Sequence, residues 1–276
     1  MGRPMALNLM AGGHELHVYA RRAEAAEPLV IAGATAWGSP AEAAAQAEVI
    51  FSCVSDTPDV EEVLLGAGGV IHGAQPGSIV VDMSTISPSA TREMAARLAE
   101  RGVEMLDAPV SGGEQGAIAG TLSIMVGGNA AALARVRPLL DLLGSNIVHV
   151  GGHGAGQVVK ACNQIVVAQT IVGVAEALQL ANRQGVDPAR VREALLGGFA
   201  YSKILDVHGQ RMLDDNYTPG FKARLHTKDL GIALAEAEAH GLDATAVRAA
   251  ADLIRRVAEE IDGELDHSAV FRLLGD

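Results

Sequence analysis

The sequence predicts a two-part α/β protein, with a doubly wound sheet over the first half and helices alone over the second. Three observations carry this. Short β-branched runs alternate with helical stretches up to about residue 150. Ser-Pro pairs and glycines punctuate those stretches where helices should start and stop. Beyond that point helical periodicity continues to the end of the chain.

In chain order, Met5 to Met10 is helical and closes at Gly12-Gly13. Leu16-His17-Val18-Tyr19, Val49 to Val54 and Ile79 to Met83 are strand-like, and the latter two lack polar alternation. Such continuous runs suit strands covered on both faces, hence a parallel sheet. Ser39-Pro40 and Ser87-Pro88 each set a capping hydroxyl before a proline at the first helical position, and Gly102 ends the second of these helices. Gly156 to Gln184 is apolar on nearly every face and free of proline, which predicts one long buried helix, over ~40 Å at ~1.5 Å per residue. Asp187-Pro188 opens the next helix, and helical patterns follow over Ala223–His240 and Asp243–Asp262. The change of texture near 151–155 divides the chain into residues 1–152 and 153–276.

Composition narrows the function classes. The 276 residues are 49 % hydrophobic and 20 % charged, enough for a large core and too apolar for disorder. Aromatics are 3 %, too few for a base-stacking groove, and the net charge of -12 repels polyphosphate and anionic lipid, so neither nucleic acid nor membrane is an expected partner. Cys53 and Cys162 lie in apolar runs without pairing or metal spacing, as expected of reduced thiols in the cytoplasm. No signal peptide precedes the first helical stretch, and the charge-free run from Ala161 to Ala175 is shorter than the ~20 residues that span a bilayer. The nine histidines do not cluster at ligand spacings, so no metal site is expected.

A dinucleotide-binding sheet opens with a strand, then G-x-G-x-x-G, then a helix. This sequence begins at Met1-Gly2-Arg3-Pro4-Met5, at the turn into that helix, with Gly2 in the place of the third glycine. The same residues also suit an ordinary N-terminal helix. On the first reading the fold is a Rossmann-like sheet with its first strand missing, and a native start upstream or an incomplete cofactor site is expected. An unfilled central position would expose two strand edges.

Three segments carry candidate chemistry. Asp107-Ala108-Pro109-Val110-Ser111-Gly112-Gly113 offers a hydroxyl and successive N–H groups for a small carboxylate, or is a plain Pro/Gly turn. Gly154 to Gln164 opens the long helix with Lys160 among apolar neighbours and Asn163 and Gln164 at i+3 and i+4. Desolvation of such a lysine would bring it toward the range of proton transfer, while a lysine snorkelling at a domain junction fits the same pattern. Phe221 through Lys228-Asp229-Leu230 sets an aromatic and a charged pair about a helix start, which alone is an ordinary ion pair.

Taken together and in order, these segments resemble the β-hydroxyacid dehydrogenase family. The resemblance runs end to end, through Met1-Gly2-Arg3-Pro4-Met5-Ala6, Asp82 to Pro88, Asp107 to Gly113, Gly120 to Gly128, Gly154 to Asn163, Lys228-Asp229-Leu230 and Asp266-His267-Ser268-Ala269. Ser111-Gly112-Gly113-Glu114, Gly197-Gly198 and Gly220-Phe221 leading to Leu225-His226-Thr227-Lys228 look most like the branch that reduces 2-hydroxy-3-oxopropionate (tartronate semialdehyde) to glycerate.

The resemblance implies hydride transfer between a nicotinamide and a small acid bearing a β-hydroxyl or β-carbonyl, with Lys160 as the catalytic proton donor. Ser111, Gly112 and Gly113 would hold the substrate carboxylate and Asn163 would hydrogen-bond the substrate, although the family motif often has its Asn where Gln164 stands. Cofactor contacts would come from Met1 and Gly2, from Val54 and Ser55, from Thr85, and from Phe221 and Lys228; Ser55 departs from the family's usual proline. The strand ending at Ala20-Arg21-Arg22 has two guanidiniums and no acid, and Arg21 thus favours NADP over NAD. Other short semialdehyde reductions, 3-hydroxyisobutyrate dehydrogenation among them, remain open, as does a non-catalytic relative of the fold. Glu114, Gln115, Phe199 and Tyr201 would shape the pocket wall. The apolar long helix predicts a homo-oligomer, dimer or tetramer, formed through the second half.

Overall fold

The structure is a computed structural model and describes residues 1–275. The chain forms two compact units, Met1–Lys160 and Ala161–Asp276. That division falls inside the long helix.

In the first unit, α1 (Gly2–Ala11) leads to β1 (His17–Val18), α2 (Ala23–Ile31), β2 (Thr35–Ala36), α3 (Pro40–Ala44), β3 (Val49–Ser52) and α4 (Thr57–Leu65). Next come β4 (Ile79–Asp82), α5 (Pro88–Ala99), β5 (Glu104–Asp107), β6 (Val110–Ser111), α6 (Gly113–Ala119), β7 (Leu122–Gly128), α7 (Ala130–Leu140) and β8 (Gly144–Gly151). Ser39 and Ser87 cap α3 and α5 as the sequence predicts, accepting from the N–H of Glu42 and Ala90.

The strands divide into two sheets. Among the described residues β1 pairs only with β2, in parallel. A separate six-stranded sheet has the order β3-β4-β5-β7-β6, with β8 on the other edge of β7. β3, β4 and β5 are parallel, but β7 runs antiparallel to both β5 and β6, so the all-parallel sheet expected from the sequence is in fact mixed. The parallel part has both faces covered. Ile79 and Val81 join Leu106 and Ile124 in one core with Met5 of α1 and Val136 of α7, whereas Val80 and Met105 enter a second core with Leu64 of α4 and Met94 of α5. Alternation along a strand sends neighbours to opposite faces, and here both faces are apolar.

The second unit is helical. It contains most of α8 (Ala155–Arg183), then α9 (Pro188–Leu196), α10 (Lys203–Leu213), α11 (Ala223–Ala239), α12 (Thr245–Arg256), a π-helical turn (Val257–Asp262), a 3-10 turn (His267–Ala269) and α13 (Val270–Gly275). Ile171, Ala175 and Leu178 of α8 meet Leu205, Met212, Leu230 and Ile254 in its core. α8 is long and apolar enough, by length and composition, to cross a membrane. It is not buried all round as expected, since Val166 and Leu180 stand 63 % and 62 % exposed.

Candidate active site

The candidate residues of the first unit lie at the carboxyl ends of its strands. α1 begins where β3 ends, because a Cβ on Gly2 would sit 3.8 Å from the Cβ of Cys53. No side chain caps the start of α1 and no acid lies in its first turn, so its free N–H groups and positive dipole end suit an anion. Burial pushes the Cys53 thiol up to about 11, against the pull of the Met1 ammonium.

Val54 is held through a buried network. Its N–H donates to Ser84 Oγ (2.9 Å), which donates to Asp82 Oδ1 (2.7 Å), and Ser52 Oγ donates to the same oxygen (2.8 Å). Burial pushes the Asp82 carboxyl up to about 6 despite these hydrogen bonds. Ser55 is exposed and Thr85 half-buried beside this network. Arg21 and Arg22 lie exposed just past β1, with Arg21 paired to Asp59 at 3.0 Å.

The 107–113 segment and the start of α8 are fastened together by Asp107. Its Oδ1 accepts the Gly154 N–H (2.8 Å) and its Oδ2 the Gln157 N–H (3.0 Å), while burial raises its pKa against those bonds. Gln157 in turn accepts from Ile86 N–H (3.1 Å) and donates to the Ser84 carbonyl (2.9 Å), tying the helix to the loop after β4. Gly156 makes the approach possible, as a Cβ there would lie 2.4 Å from the Met125 carbonyl oxygen. Lys160 follows one turn on and is buried, 7 % exposed. At the end of β6 Ser111 is half-buried, and past it Gly112 and Gly113 take φ of 134° and 64°, values open to glycine but strained for other residues.

In the second unit two of the predicted residues are joined by one chain of hydrogen bonds. Asn163 Nδ2 donates to Gln164 Oε1 (2.7 Å), Gln164 Nε2 to Asp229 Oδ2 (2.7 Å), and Lys228 Nζ meets Asp229 Oδ1 at 2.7 Å. Lys228-Asp229 is thus a half-buried structural pair rather than the exposed one that the dipeptide alone suggests. Phe221 sits apart from this chain, its ring 5.5 Å from those of both His226 and His267. Phe199 and Tyr201, expected in a pocket wall, are exposed in this chain.

The first half of the chain, residues 1–151, matches the model for the NAD binding domain of 6-phosphogluconate dehydrogenase. Residues 154–274 match the NAD-binding domain of NADP-dependent 3-hydroxyisobutyrate dehydrogenase. The chain is 48 % identical to Escherichia coli (strain K12) 2-hydroxy-3-oxopropionate reductase over 274 residues, 99 % of this chain and 94 % of that one. The chain belongs to the 3-hydroxyisobutyrate dehydrogenase family. A 3-hydroxyisobutyrate dehydrogenase of Pseudomonas aeruginosa is 42 % identical over 87 % of this chain and 83 % of its own. Among solved structures, Mycobacterium tuberculosis 3-hydroxyisobutyrate dehydrogenase, determined with L-serine, superposes with a TM-score of 0.91 at 33 % identity, over 100 % of this chain and 96 % of that one.

As a member of this dehydrogenase family the chain is an NAD(P)-dependent oxidoreductase. The anchors beneath its site residues were not assigned roles by sequence reasoning. Asp82 and Asp107 stand at consecutive strand ends, a signal visible only once the strands are paired. Asp266, in sequence only one member of a motif, is the post on which Phe221 is mounted: its Oδ2 accepts from Gly220 N–H (2.9 Å) and Phe221 N–H (3.1 Å) and forms an ion pair with Arg211 at 2.8 Å. Although burial opposes it, the nearby His208 and His267 and a hydrogen bond from Ser268 hold this carboxyl far below the usual range. His208, Asp266 and His267 bring three ligand-type atoms within 4.8 Å of one another, a cluster that sequence spacing could not reveal. Both oxygens of Asp266 already accept hydrogen bonds there, so the trio reads as a support for the 220–223 turn.

Proposed function

We propose that this chain reduces a small semialdehyde acid to its hydroxy acid, with 2-hydroxy-3-oxopropionate to glycerate as the favoured reaction and Lys160 as proton donor. The observation that carries this reading is a buried lysine (7 % exposed) on a helix whose first turn is clamped by Asp107. The 48 % identity to the E. coli reductase along 99 % of the chain supports the choice of substrate.

NAD(P)H, when bound, supplies the hydride that the aldehyde carbon accepts. The uncapped amino end of α1, with Met1 and Gly2, fits its pyrophosphate; Val54, Ser55 and Thr85 would line the same crevice, and Phe221 and Lys228 would flank the nicotinamide. Arg21, with no acid beside it in sequence, favours NADP(H), since a guanidinium matches a 2′-phosphate. Ser111, Gly112 and Gly113 would bind the substrate carboxylate through hydroxyl and N–H groups, and Asn163 would hold the substrate. The Lys160 ammonium stabilises the negative charge that develops on the carbonyl oxygen and gives it a proton; the neutral amine then recovers one from solvent. The working form is a homo-oligomer, dimer or tetramer, and the free Cys53 and Cys162 suit the reducing cytoplasm.

A second substrate, 3-hydroxyisobutyrate, is supported by the P. aeruginosa relative and the M. tuberculosis structure. Steady-state rates on a panel of C3 and C4 semialdehydes and hydroxy acids, with NADPH and NADH, separate the two. The highest kcat/KM is expected for 2-hydroxy-3-oxopropionate, and a preference for methylmalonate semialdehyde would replace it by the second reading. In the same assay Lys160→Ala should lose about 10²–10⁴-fold in kcat, the usual contribution of a positioned general acid, with cofactor binding intact. A variant that keeps most of its rate removes Lys160 from the mechanism.

A further inference from the structure

One buried polar side chain, a turn of helix before Lys160, takes no part in the chemistry of the proposed reaction. Gln157 lies in the first turn of α8 and is 1 % exposed. Its main-chain N–H donates to Asp107 Oδ2 (3.0 Å), so its carboxamide is not needed to start the helix. The carboxamide crosses instead to the segment after β4. There Oε1 accepts from the Ile86 N–H (3.1 Å) and Nε2 donates to the Ser84 carbonyl (2.9 Å). These two peptide groups flank Thr85. One side chain therefore grips the chain on both sides of Thr85, across 71 and 73 residues of sequence.

The residue type suits the task. A buried carbonyl and a buried N–H each need a partner, and leaving either unpaired costs more than the bond itself contributes. Glutamine answers both at one end, with an acceptor, a donor and no charge. An ionised glutamate would have no donor, and it would add a third carboxylate to a region that already buries Asp82 and Asp107. The gripped segment is itself firm. Ser84 Oγ donates to Asp82 Oδ1 (2.7 Å) and accepts from the Val54 N–H (2.9 Å), which fastens it to the ends of β3 and β4.

The bonds of Asp107 to the N–H groups of Gly154 and Gln157 run along the helix axis and set where α8 begins. A bond from a side chain runs outward from the axis and sets how the helix is turned about it. Residues three apart share one helical face, so the turn that is fixed at Gln157 is the turn that presents Lys160. We infer that Gln157 is a positioning residue for Lys160: by registering the first turn of α8 on the Thr85 segment, it fixes where the ammonium stands. The inference rests on the function proposed above, in which Lys160 is the proton donor and Thr85 lines the cofactor crevice. A reacting group displaced by about 1 Å can lose on the order of 10²-fold in rate.

The test is a double-mutant cycle on the full chain, with Gln157→Met made alone and in the Lys160→Ala background. Methionine keeps the length of the side chain and removes both bonds. Hydride transfer from NADPH to 2-hydroxy-3-oxopropionate is read in single turnovers. Gln157→Met should slow it by about 10–10²-fold in the parent and by less than about twofold once Lys160 is gone, with the Kd for NADPH within about threefold throughout. Equal losses in both backgrounds, or no loss in the parent, overturn the inference. Hydrogen exchange of the cofactor-free chain tests the geometry without any activity. In Gln157→Met the Ile86 amide should exchange about tenfold or more faster, while the Gly154 amide, still bonded to Asp107, stays slow. Unchanged exchange at Ile86 removes the bond on which the inference stands. Faster exchange at Gly154 as well makes Gln157 a general support of the helix start and overturns the narrower role. A parent that reduces none of the C3 and C4 semialdehydes fails the proposed function, and the role of Gln157 falls with it; an active parent with an additive cycle fails the inference alone.

Discussion

On the function proposed above, Arg21 would choose the cofactor at the level of a single side chain. It is 81 % exposed and its partner Asp59 holds it by one contact of 3.0 Å, an exposed pair that contributes little to stability and can yield to a phosphate. Arg21→Ala should raise the KM for NADPH by roughly tenfold, as expected for one lost charge-assisted hydrogen bond, and leave the KM for NADH within about twofold. Equal effects on both cofactors would end the phosphate argument. Asp82 makes a different prediction. Its carboxyl is raised by burial from 3.8 to about 6, so the folded chain holds a proton there that the unfolded chain has released. Its contribution to stability is therefore fully present below about pH 4 and is lost as pH rises through 6. Asp82→Asn keeps an acceptor for Ser52 and Ser84 and removes the titration. Denaturant unfolding from pH 4 to pH 7 should show the parent losing about 3 kcal/mol relative to this variant, since each pH unit between the unfolded and folded values is worth ~1.4 kcal/mol. Parallel pH profiles would show that Asp82 does not titrate in this range.

Among the elements, α8 supplies the sharpest contrast because it holds two glycines in opposite surroundings. A Cβ at Gly156 would meet the carbonyl oxygens of Met125 and Asp107 at 2.4 and 2.7 Å, both backbone atoms that cannot turn aside. Gly173 has nothing within 4 Å of its missing Cβ. Gly156→Ala should thus destabilise by roughly 1–3 kcal/mol, the usual cost of overpacking, whereas Gly173→Ala, compared in a monomeric Val166→Glu background, should stabilise by about 0.5–1 kcal/mol through helix propensity. Unfolding midpoints that move the same way in both variants would contradict the packing described. This pair also shows where sequence reasoning stops. Both glycines lie in one helical run, and only the fold distinguishes them. The caps at Ser39 and Ser87 were legible because a cap needs only its own next three residues. The antiparallel β7 was not, since its pairing of Asp107 with Gly127 joins residues whose partnership no local pattern encodes. Likewise Lys160, Asn163 and Lys228 could be proposed from their motifs, but Gln164 and Asp229 as the links between Asn163 and Lys228, and Asp266 as the post beneath Phe221, depend on contacts across 65 and 45 residues.

For the whole molecule, the exposed side of α8 is the main unexplained surface. Within the second unit Cys162, Val166, Gln169, Gly173, Glu176 and Leu180 follow one another at spacings of three and four, one continuous helical face, and all are exposed. A face that carries Val166 at 63 % and Leu180 at 62 % exposure, interrupted by one charge, is costly to keep in water, and a second copy of the same face would cover it. Symmetry makes the contact self-complementary, so one substitution acts twice in each dimer. Val166→Glu would then set two carboxylates into an apolar interface and forfeit the burial of two valines, each contributing about 1.5 kcal/mol or more. Light scattering should find the parent as a dimer or tetramer at micromolar concentration and the variant at half that mass or less, with helicity retained by circular dichroism. Equal masses for parent and variant would place the interface elsewhere. A parent already monomeric would remove the homo-oligomer and leave this apolar face without a partner.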